Sequence, residues 1–489
     1  AMKVGNPSGQ MNFHLFLAVS ACVLGSAFQH GYNIGVVNAP QALIQSFINQ
    51  TYFDRYGEPL DESDITLMWS WIVSIFCVGG MLSGFSVGYV ADRLGRKGGL
   101  LINNGLAITA GICLQFSKFL GSFETLLIGR FLIGINCGLN AGLAPLYLCE
   151  ISPRNLRGAI GTVYQLVITI SILISQVFGL NTVLGTETLW PSLLGLIIFP
   201  AILQLCLLPF CPESPKFYLM NLNKEKEAYD ALYWLRGSTD LEDELIDLKE
   251  EFSSMQKNPE VSLKDMFTNP TLRSPLVIAV MMMLAQQFSG INAVIYFSTD
   301  IFKNAGLPEH SAQLGTIGMG ITNVMMTLIS LAIVERAGRK TLMLSGIVVM
   351  LISMLLLTIV LALQSAAAWF SFAAVFFVIL FIIGFATGPG SIPWFLVTEL
   401  FNQSSRPLAT SIAVGINWVA NFIVGLAFLP LAHLMGSYVF VIFTILLLAF
   451  AIYTHFMVPE TKNKSLEQIT EMFSHNSRSV ELERSGEHL

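Results

Sequence analysis

Residues 341–398 contain no Asp, Glu, Lys or Arg, and neither do residues 407–459. Charge is scarce everywhere, at 12% of the chain against about 25% in soluble globular proteins. Each empty stretch has room for two apolar helices of roughly 20 residues, the length that crosses a bilayer, with a tight turn between them. The deficit excludes a water-soluble globular fold. A basic surplus is absent too. The net charge of −6 and the pI of about 5.7 leave no basic face for nucleic acid. The seven cysteines are Cys22, Cys77, Cys113, Cys137, Cys149, Cys206 and Cys211, with none in the second half. They are scattered through apolar runs without metal-ligand spacing, so they read as packing residues and not as a disulfide or zinc framework. No nucleophile–base set or metal cluster appears, so the chain does not read as an enzyme, and no cofactor is expected. The first apolar segment lacks a small-residue cleavage site and reads as a membrane span, not a signal peptide.

What is abundant is apolar sequence, 54% of residues with a mean hydropathy of +0.65. Runs and breaks predict an all-α polytopic membrane protein of about twelve spans. They fall near 13–37, 67–90, 99–117, 124–148, 158–180, 189–209, 275–299, 311–334, 341–363, 369–397, 407–429 and 437–458. Basic residues set the orientation. Arg93, Arg96 and Lys97, then Arg154 and Arg157, then Arg336, Arg339 and Lys340 alternate with acidic or neutral loops. The positive-inside bias places these basic loops and both termini in the cytoplasm. The loop with Asp54, Glu58, Asp61, Glu62 and Asp64 is then external, and the sequon at Asn49 falls in it as a glycosylation candidate. Sequons at Asn402 and Asn463 would be cytoplasmic and unmodified.

The stretch Gln286-Gln287-Phe288-Ser289-Gly290-Ile291-Asn292-Ala293-Val294-Ile295-Tyr296 lies in a segment uncharged from Ser274 to Thr299. Side-chain amides there are costly without hydrogen-bond partners. On one helix Ser289, Asn292 and Tyr296 would share a face of neutral donors and acceptors. Such a face suits an uncharged polyhydroxylated molecule. It equally suits amides that bond one helix to another. Between the sixth and seventh spans, Leu241, Leu245, Leu248 and Phe252 recur at helical spacing among acids and predict an amphipathic helix against the span ends.

Three motifs recur at nearly one offset. Asp92-Arg93-Leu94-Gly95-Arg96-Lys97 returns as Glu335-Arg336-Ala337-Gly338-Arg339-Lys340. Glu150 with Arg157 returns as Glu399 with Arg406, and Pro212-Glu213-Ser214 as Pro459-Glu460-Thr461. The chain is therefore read as two duplicated six-span bundles, 13–209 and 275–458, with a helical linker at 210–274 and a tail at 459–489. Duplicated halves are the layout of transporters that rock about a central site. Arg93, Glu150, Arg157, Glu213, Glu335, Arg336, Glu399, Arg406 and Glu460 all fall at predicted cytoplasmic span ends. They are candidates for ion pairs between spans that shut that side in one state, or for topogenic charge alone.

At this point the chain resembles the sugar porters of the major facilitator superfamily, and within them the animal facilitative glucose transporters. The resemblance runs from about residue 12 to 473. It rests on Gln29-His30-Gly31-Tyr32-Asn33, Gly88 to Lys97, Gly129-Arg130, Glu150 with Arg157-Gly158, Pro212-Glu213-Ser214-Pro215-Lys216, Gln286 to Asn292, Gly388-Pro389-Gly390-Ser391-Ile392-Pro393-Trp394 and Pro459-Glu460-Thr461-Lys462. It implies a plasma-membrane carrier with a central sugar site at Gln165, Gln286, Gln287, Asn292, Asn323, Trp394 and Asn417. Amides there would meet sugar hydroxyls, and the Trp394 indole would pack on the ring. It also implies that the Gly/Pro-rich segment 384–393 bends over the sugar.

Proton-driven uptake needs a titratable group in the pathway. Proton-coupled relatives have Asp where this chain has Asn33, and no acid is placed mid-span, so no coupling ion is expected. The first expectation is a facilitated-diffusion hexose uniporter. The alternatives are a proton–sugar symporter or a non-transporting sugar sensor of the same fold. Met283-Leu284-Ala285 and Ala386 depart from the glucose-selective pattern, whereas Trp394 keeps it, so the resemblance implies glucose first and fructose or mixed hexoses next. Lys216 stands where Arg is usual, which removes bidentate pairing.

Overall fold

The computed structural model describes residues 10–475 apart from 154, 258–260, 402–404, 463 and 465–467. The sequons at Asn402 and Asn463, and the side chains of Arg157 and Glu335, lie outside the described residues. Among the described residues the fold is helical, with no strand. In the first half α1 is Phe13–Gly35, α2 Gln41–Tyr56, α3 Glu62–Leu94, α4 Arg96–Phe116, α5 Phe123–Ile151, α6 Arg157–Phe178 and α7 Trp190–Phe210. The linker carries α8 Glu225–Arg236, α9 Glu242–Lys257 and α10 Leu263–Thr268. In the second half α11 is Pro270–Phe288, α12 Ile291–Asn304, α13 Glu309–Ala337, α14 Arg339–Ala362, α15 Phe370–Thr387, α16 Ile392–Leu400, α17 Arg406–Met435 and α18 Val439–Met457.

Eleven stretches among the described residues are long and apolar enough to cross a membrane. The longest, Arg406–Met457, contains both α17 and α18, separated at Gly436 with φ 63°. About twelve crossings in two six-helix bundles result, as the hydropathy predicts. Two spans of the second half are broken. α11 gives way to α12 at Gly290, whose φ of 95° is a left-handed value that favours glycine. This corrects the single-face reading of Ser289, Asn292 and Tyr296. Ser289 ends α11, and its hydroxyl turns back to the carbonyl of Gln286 at 2.6 Å. α15 gives way to α16 across Gly388–Ser391, where two glycines and Pro389 interrupt the helical ladder.

The linker helix at 242–257 forms where periodicity predicts it. Leu245, Leu248 and Phe252 are only half-buried, so apolar packing alone does not seat it. Ion pairs tie it down: Arg236 to Glu244 at 3.0 Å, Lys249 to Glu225 at 2.5 Å and Lys216 to Glu251 at 3.1 Å. Lys216 thus makes a single-point contact with α9. Arg236 also donates to the carbonyl of Ile151 at the end of α5 (2.7 Å), and Asn12 donates to that of Leu235 (2.8 Å). The linker is fastened to the first half.

Candidate functional site

The duplicated motifs build the same polar cluster twice, at the basic-loop end of each half. Gly95 (φ 78°) and Gly338 (φ 84°) turn the chain so that α4 and α14 begin immediately after α3 and α13. The Glu213 carboxylate accepts from the backbone N–H of Arg96 at 3.0 Å, Lys97 at 2.9 Å and Gly98 at 3.2 Å. Glu460 accepts likewise from Arg339 at 2.8 Å and Lys340 at 3.2 Å. A carboxylate at a helix start satisfies donors that have no partner inside the helix and meets the positive end of its dipole. A Cβ on Gly95 would lie 2.5 Å from Glu213 Oε2, and one on Gly338 would lie 2.7 Å from Glu460 Oε2. The glycines therefore leave room for the capping carboxylates as well as the turn.

Glu150 and Glu399 are the acids that form ion pairs. Arg96 Nε lies 2.9 Å from Glu150 Oε2, and Arg339 Nη2 lies 2.8 Å from Glu399 Oε1. Ser214 donates its hydroxyl to Glu150, and Thr461 donates to Glu399. Arg93 and Arg336, singled out as pairing candidates, are exposed instead, with Arg93 stacked 5.3 Å over Tyr89. The reason is register. Arg96 and Arg339 open the helices that face the acid, whereas Arg93 and Arg336 close the preceding helices on the outer side. Arg406 donates to the carbonyls of Thr398 and Phe401, both at 3.0 Å. The bonds named here each stay within one half. Removing a cap tests this geometry. Glu213→Ala leaves backbone donors of α4 unmet and should cost about 1–3 kcal/mol, read as a lower thermal unfolding midpoint in detergent. Glu213→Gln, which keeps an acceptor, should cost less.

Midway through the second half, four of the predicted site residues meet. Gln286 Nε2 donates to the carbonyls of Pro389 (2.8 Å) and Gly390 (3.1 Å), at the break between α15 and α16. Asn417 Nδ2 donates to Gln286 Oε1 at 2.7 Å, and Gln287 Nε2 donates to Asn417 Oδ1 at 3.1 Å. Asn292 Nδ2 donates to Gln287 Oε1. These side chains are buried, and no titratable group takes part in the bonds. Tyr296 and Asn421 extend the cluster: Tyr296 Oη donates to Asn421 Oδ1 at 3.0 Å and lies 3.7 Å from Cys77 Sγ of the first half.

The remaining predicted residues stand apart from this bonded set. Trp394 is 41% exposed on α16. Gln165 is exposed on α6, and Asn323 is buried on α13, where its backbone carbonyl accepts from Thr327. Asn49 lies in α2, half-buried, with Oδ1 accepting from the Leu60 N–H at 3.2 Å.

Arg130 is a fully buried cation. It donates to the carbonyls of Ile72, Asn33 and Val73 at 3.0–3.3 Å, and it lies 4.7 Å over the ring of Phe76. Backbone oxygens and an aromatic face meet the charge without a carboxylate. The Asn33 amide beside it donates to the Gln29 carbonyl at 2.8 Å and carries no exchangeable charge.

Across the halves, hydrogen bonds gather at the acidic-loop end. Asn38 Nδ2 donates to the Ile295 carbonyl (2.9 Å) and to Ser298 Oγ (2.6 Å), and its Oδ1 accepts from the Thr299 N–H (2.9 Å). Gln313 Oε1 accepts from the Asn181 N–H at 2.9 Å, and His310 contacts Asn181 Oδ1 at 3.0 Å. His433 Nε2 lies 3.5 Å from Glu62. Apart from the Cys77–Tyr296 contact, every cross-half hydrogen bond or ion pair among the described residues is at this end. The halves are fastened to one another there.

Comparison with known proteins agrees with this architecture. The family model described as "Sugar (and other) transporter" matches residues 17–473. The chain is 47% identical to solute carrier family 2, facilitated glucose transporter member 1 of Gallus gallus, over 95% of this chain and 94% of that one. It is 46% identical to facilitated glucose transporter member 3 of Bos taurus, over 94% and 92% respectively. Among solved structures, the inward-open xylose transporter XylE from E. coli superposes with a TM-score of 0.78 at 24% identity, covering 94% of this chain and 99% of that one. The proton:xylose symporter XylE bound to 6-bromo-6-deoxy-D-glucose gives a TM-score of 0.74 at 26% identity, over 94% and 99%. With its duplicated capped bundles and an amide cluster at the helix breaks, this membrane protein belongs to the sugar (and other) transporter family.

Proposed function

We propose that the protein is a facilitated-diffusion hexose uniporter, with D-glucose its first substrate and fructose or mixed hexoses next. It sits in the plasma membrane with both termini and the basic-loop end in the cytoplasm. The observation that carries the reading is the charge-free amide cluster of Gln286, Gln287, Asn292 and Asn417. Its members donate and accept in turn, so a sugar hydroxyl that needs both roles can replace any one link. Gln165, Asn323 and Trp394 complete the site when the halves close on the sugar. The Asn38, Asn181 and Glu62 contacts hold the external end shut. Transport then requires the external contacts to break while the clusters around Glu150, Glu213, Glu399 and Glu460 meet across the halves. Arg93, Arg157, Glu335, Arg336 and Arg406 join that closure. Asn49 is the external glycosylation site.

Uniport without a coupling ion is supported by Arg130 and Asn33. A proton carrier in the pathway would have to change charge there. Arg130 is instead matched by fixed carbonyls, and Asn33 is an amide. The test is counterflow in proteoliposomes with labelled glucose and fructose, with and without a pH gradient. The expected result is exchange and equilibration of glucose at a rate independent of the gradient. Accumulation of hexose above the outside concentration with protons as the sole driving force would overturn the reading. The sequence similarity to facilitated glucose transporters supports it, since facilitated glucose transport is the activity proposed here.

A further inference from the structure

Outside the central cluster one amide is buried between the halves with nothing to bond to. Gln176 on α6 is 2% exposed, and among the described residues neither its Nε2 nor its Oε1 takes a hydrogen bond. Its head rests on the second half: a Cβ on Gly320 of α13 would lie 2.1 Å from Gln176 Oε1. Glycine at 320 thus leaves a notch that a side chain would fill. Leu173 flanks the same notch, with its Cδ1 3.1 Å from that Cβ position. An amide enclosed with both ends unmet is costly, so a position that keeps one calls for a reason.

Its place along the seam supplies the reason. The two helices run in opposite directions there. Asn181, just beyond the end of α6, donates its N–H to Gln313, one to two turns before Gly320 on α13. That bond belongs to the set that holds the external end shut. In the other direction Gln165 lies about three helical turns back from Gln176, and Asn323 lies about one turn beyond Gly320. Gln176 therefore sits between the external fastening and the proposed sugar site, on the faces of α6 and α13 that meet across the halves. Opening the external end must draw these two helices apart, and the amide then meets the external solution.

We propose that Gln176 in the Gly320 notch is a spring built into the external closure, an unmet amide that loads the shut state and favours its reopening. This inference rests on the alternating-access reading above and not on the identity of the sugar. When α6 and α13 part, water supplies the missing partners and the cost disappears. Only a free-energy difference between two states moves their balance, and this one is present in the shut state alone. The Asn38 and Asn181 bonds favour closure and Gln176 opposes it. Opposed terms keep both states populated, which a carrier that visits each of them in every cycle requires.

The experiment measures amide hydrogen exchange in the full chain, in detergent and without sugar, at the end of α6 and the start of α13. Exchange there reports how often the external end opens. Gln176→Leu fills the same space with no polar atom, so it removes the load and should slow exchange about tenfold. Gln176→Met, unbranched like glutamine, repeats that arm should the leucine variant fail to fold. Gln176→Glu at pH 8 buries a carboxylate in the shut state, which is costlier still, and should speed exchange. The order of rates, apolar below wild type below Glu, is the signature of the spring, since a packing defect would loosen every variant alike. Equal rates in wild type and the apolar variants would overturn the proposal. Faster exchange in the apolar variants would do so too, because the amide would then be holding the seam together. The readout needs no transport, so a protein that moves no hexose would sink the uniporter reading and leave this result standing.

Discussion

Replacing Gln287 with alanine should lower glucose kcat/KM by about a hundredfold, with the protein still folded. Gln287 is the link that both donates, to Asn417, and accepts, from Asn292. Its loss strands a donor on Asn292 and an acceptor on Asn417, each buried. A stranded buried polar group costs about 1–3 kcal/mol, and each 1.4 kcal/mol is tenfold. Part of that cost falls on stability and part on binding, so both must be measured. Uptake in proteoliposomes reads the first quantity and thermal unfolding in detergent the second. A variant within threefold of wild type in uptake would mean that the amides only glue α11, α12 and α17 together. The bland alternative raised by the sequence would then hold.

Gly388→Ala should be among the most damaging single methyls in the chain. A Cβ there would lie 2.2 Å from the Leu342 carbonyl oxygen, 2.8 Å from its carbon and 2.9 Å from Met343 Cα. All three are backbone atoms of α14 and cannot swing aside. Overpacking of this kind typically costs about 1–3 kcal/mol, and here it also pushes on the break whose carbonyls hold Gln286. The expected result is poor expression and at least tenfold slower uptake in whatever protein is recovered. Gly105→Ala is the control. Nothing lies within 4 Å of its Cβ, and it sits inside α4, so alanine there should be neutral or slightly stabilising. Normal uptake in Gly388→Ala would mean that α14 and α15 can separate freely, and the close backbone packing described above would be wrong.

The spans were legible in the sequence because length and the absence of charge speak directly to a bilayer. The duplication was legible because charged motifs stand out against apolar sequence. Less visible was how each motif divides its labour. Spacing placed arginines and acids at the same span ends, but whether Arg93 or Arg96 faces Glu150 depends on the turn at Gly95. Likewise Glu213 and Glu460 are distant in sequence from the helix starts they cap, so no local pattern announces the role. The break at Gly290 was hidden because one glycine inside an apolar run is compatible with a continuous helix. The amides of the central cluster could be picked out, since polar side chains in an uncharged stretch need partners. Which partners they take, above all the carbonyls of Pro389 and Gly390, depends on where a second broken helix lies.

The cross-half contacts at the acidic-loop end bear on how the carrier would run in each direction. Should the cross-half contacts at the acidic-loop end favour one resting state of the sugar-free protein, zero-trans entry and exit will differ in both KM and maximal velocity. Detailed balance still forbids a passive carrier from favouring either compartment. The ratio of maximal velocity to KM must come out the same for influx and efflux, so any side that binds more tightly must also turn over more slowly. Weakening the Asn38 contacts should then shift both parameters together along that constraint, leaving their quotients matched.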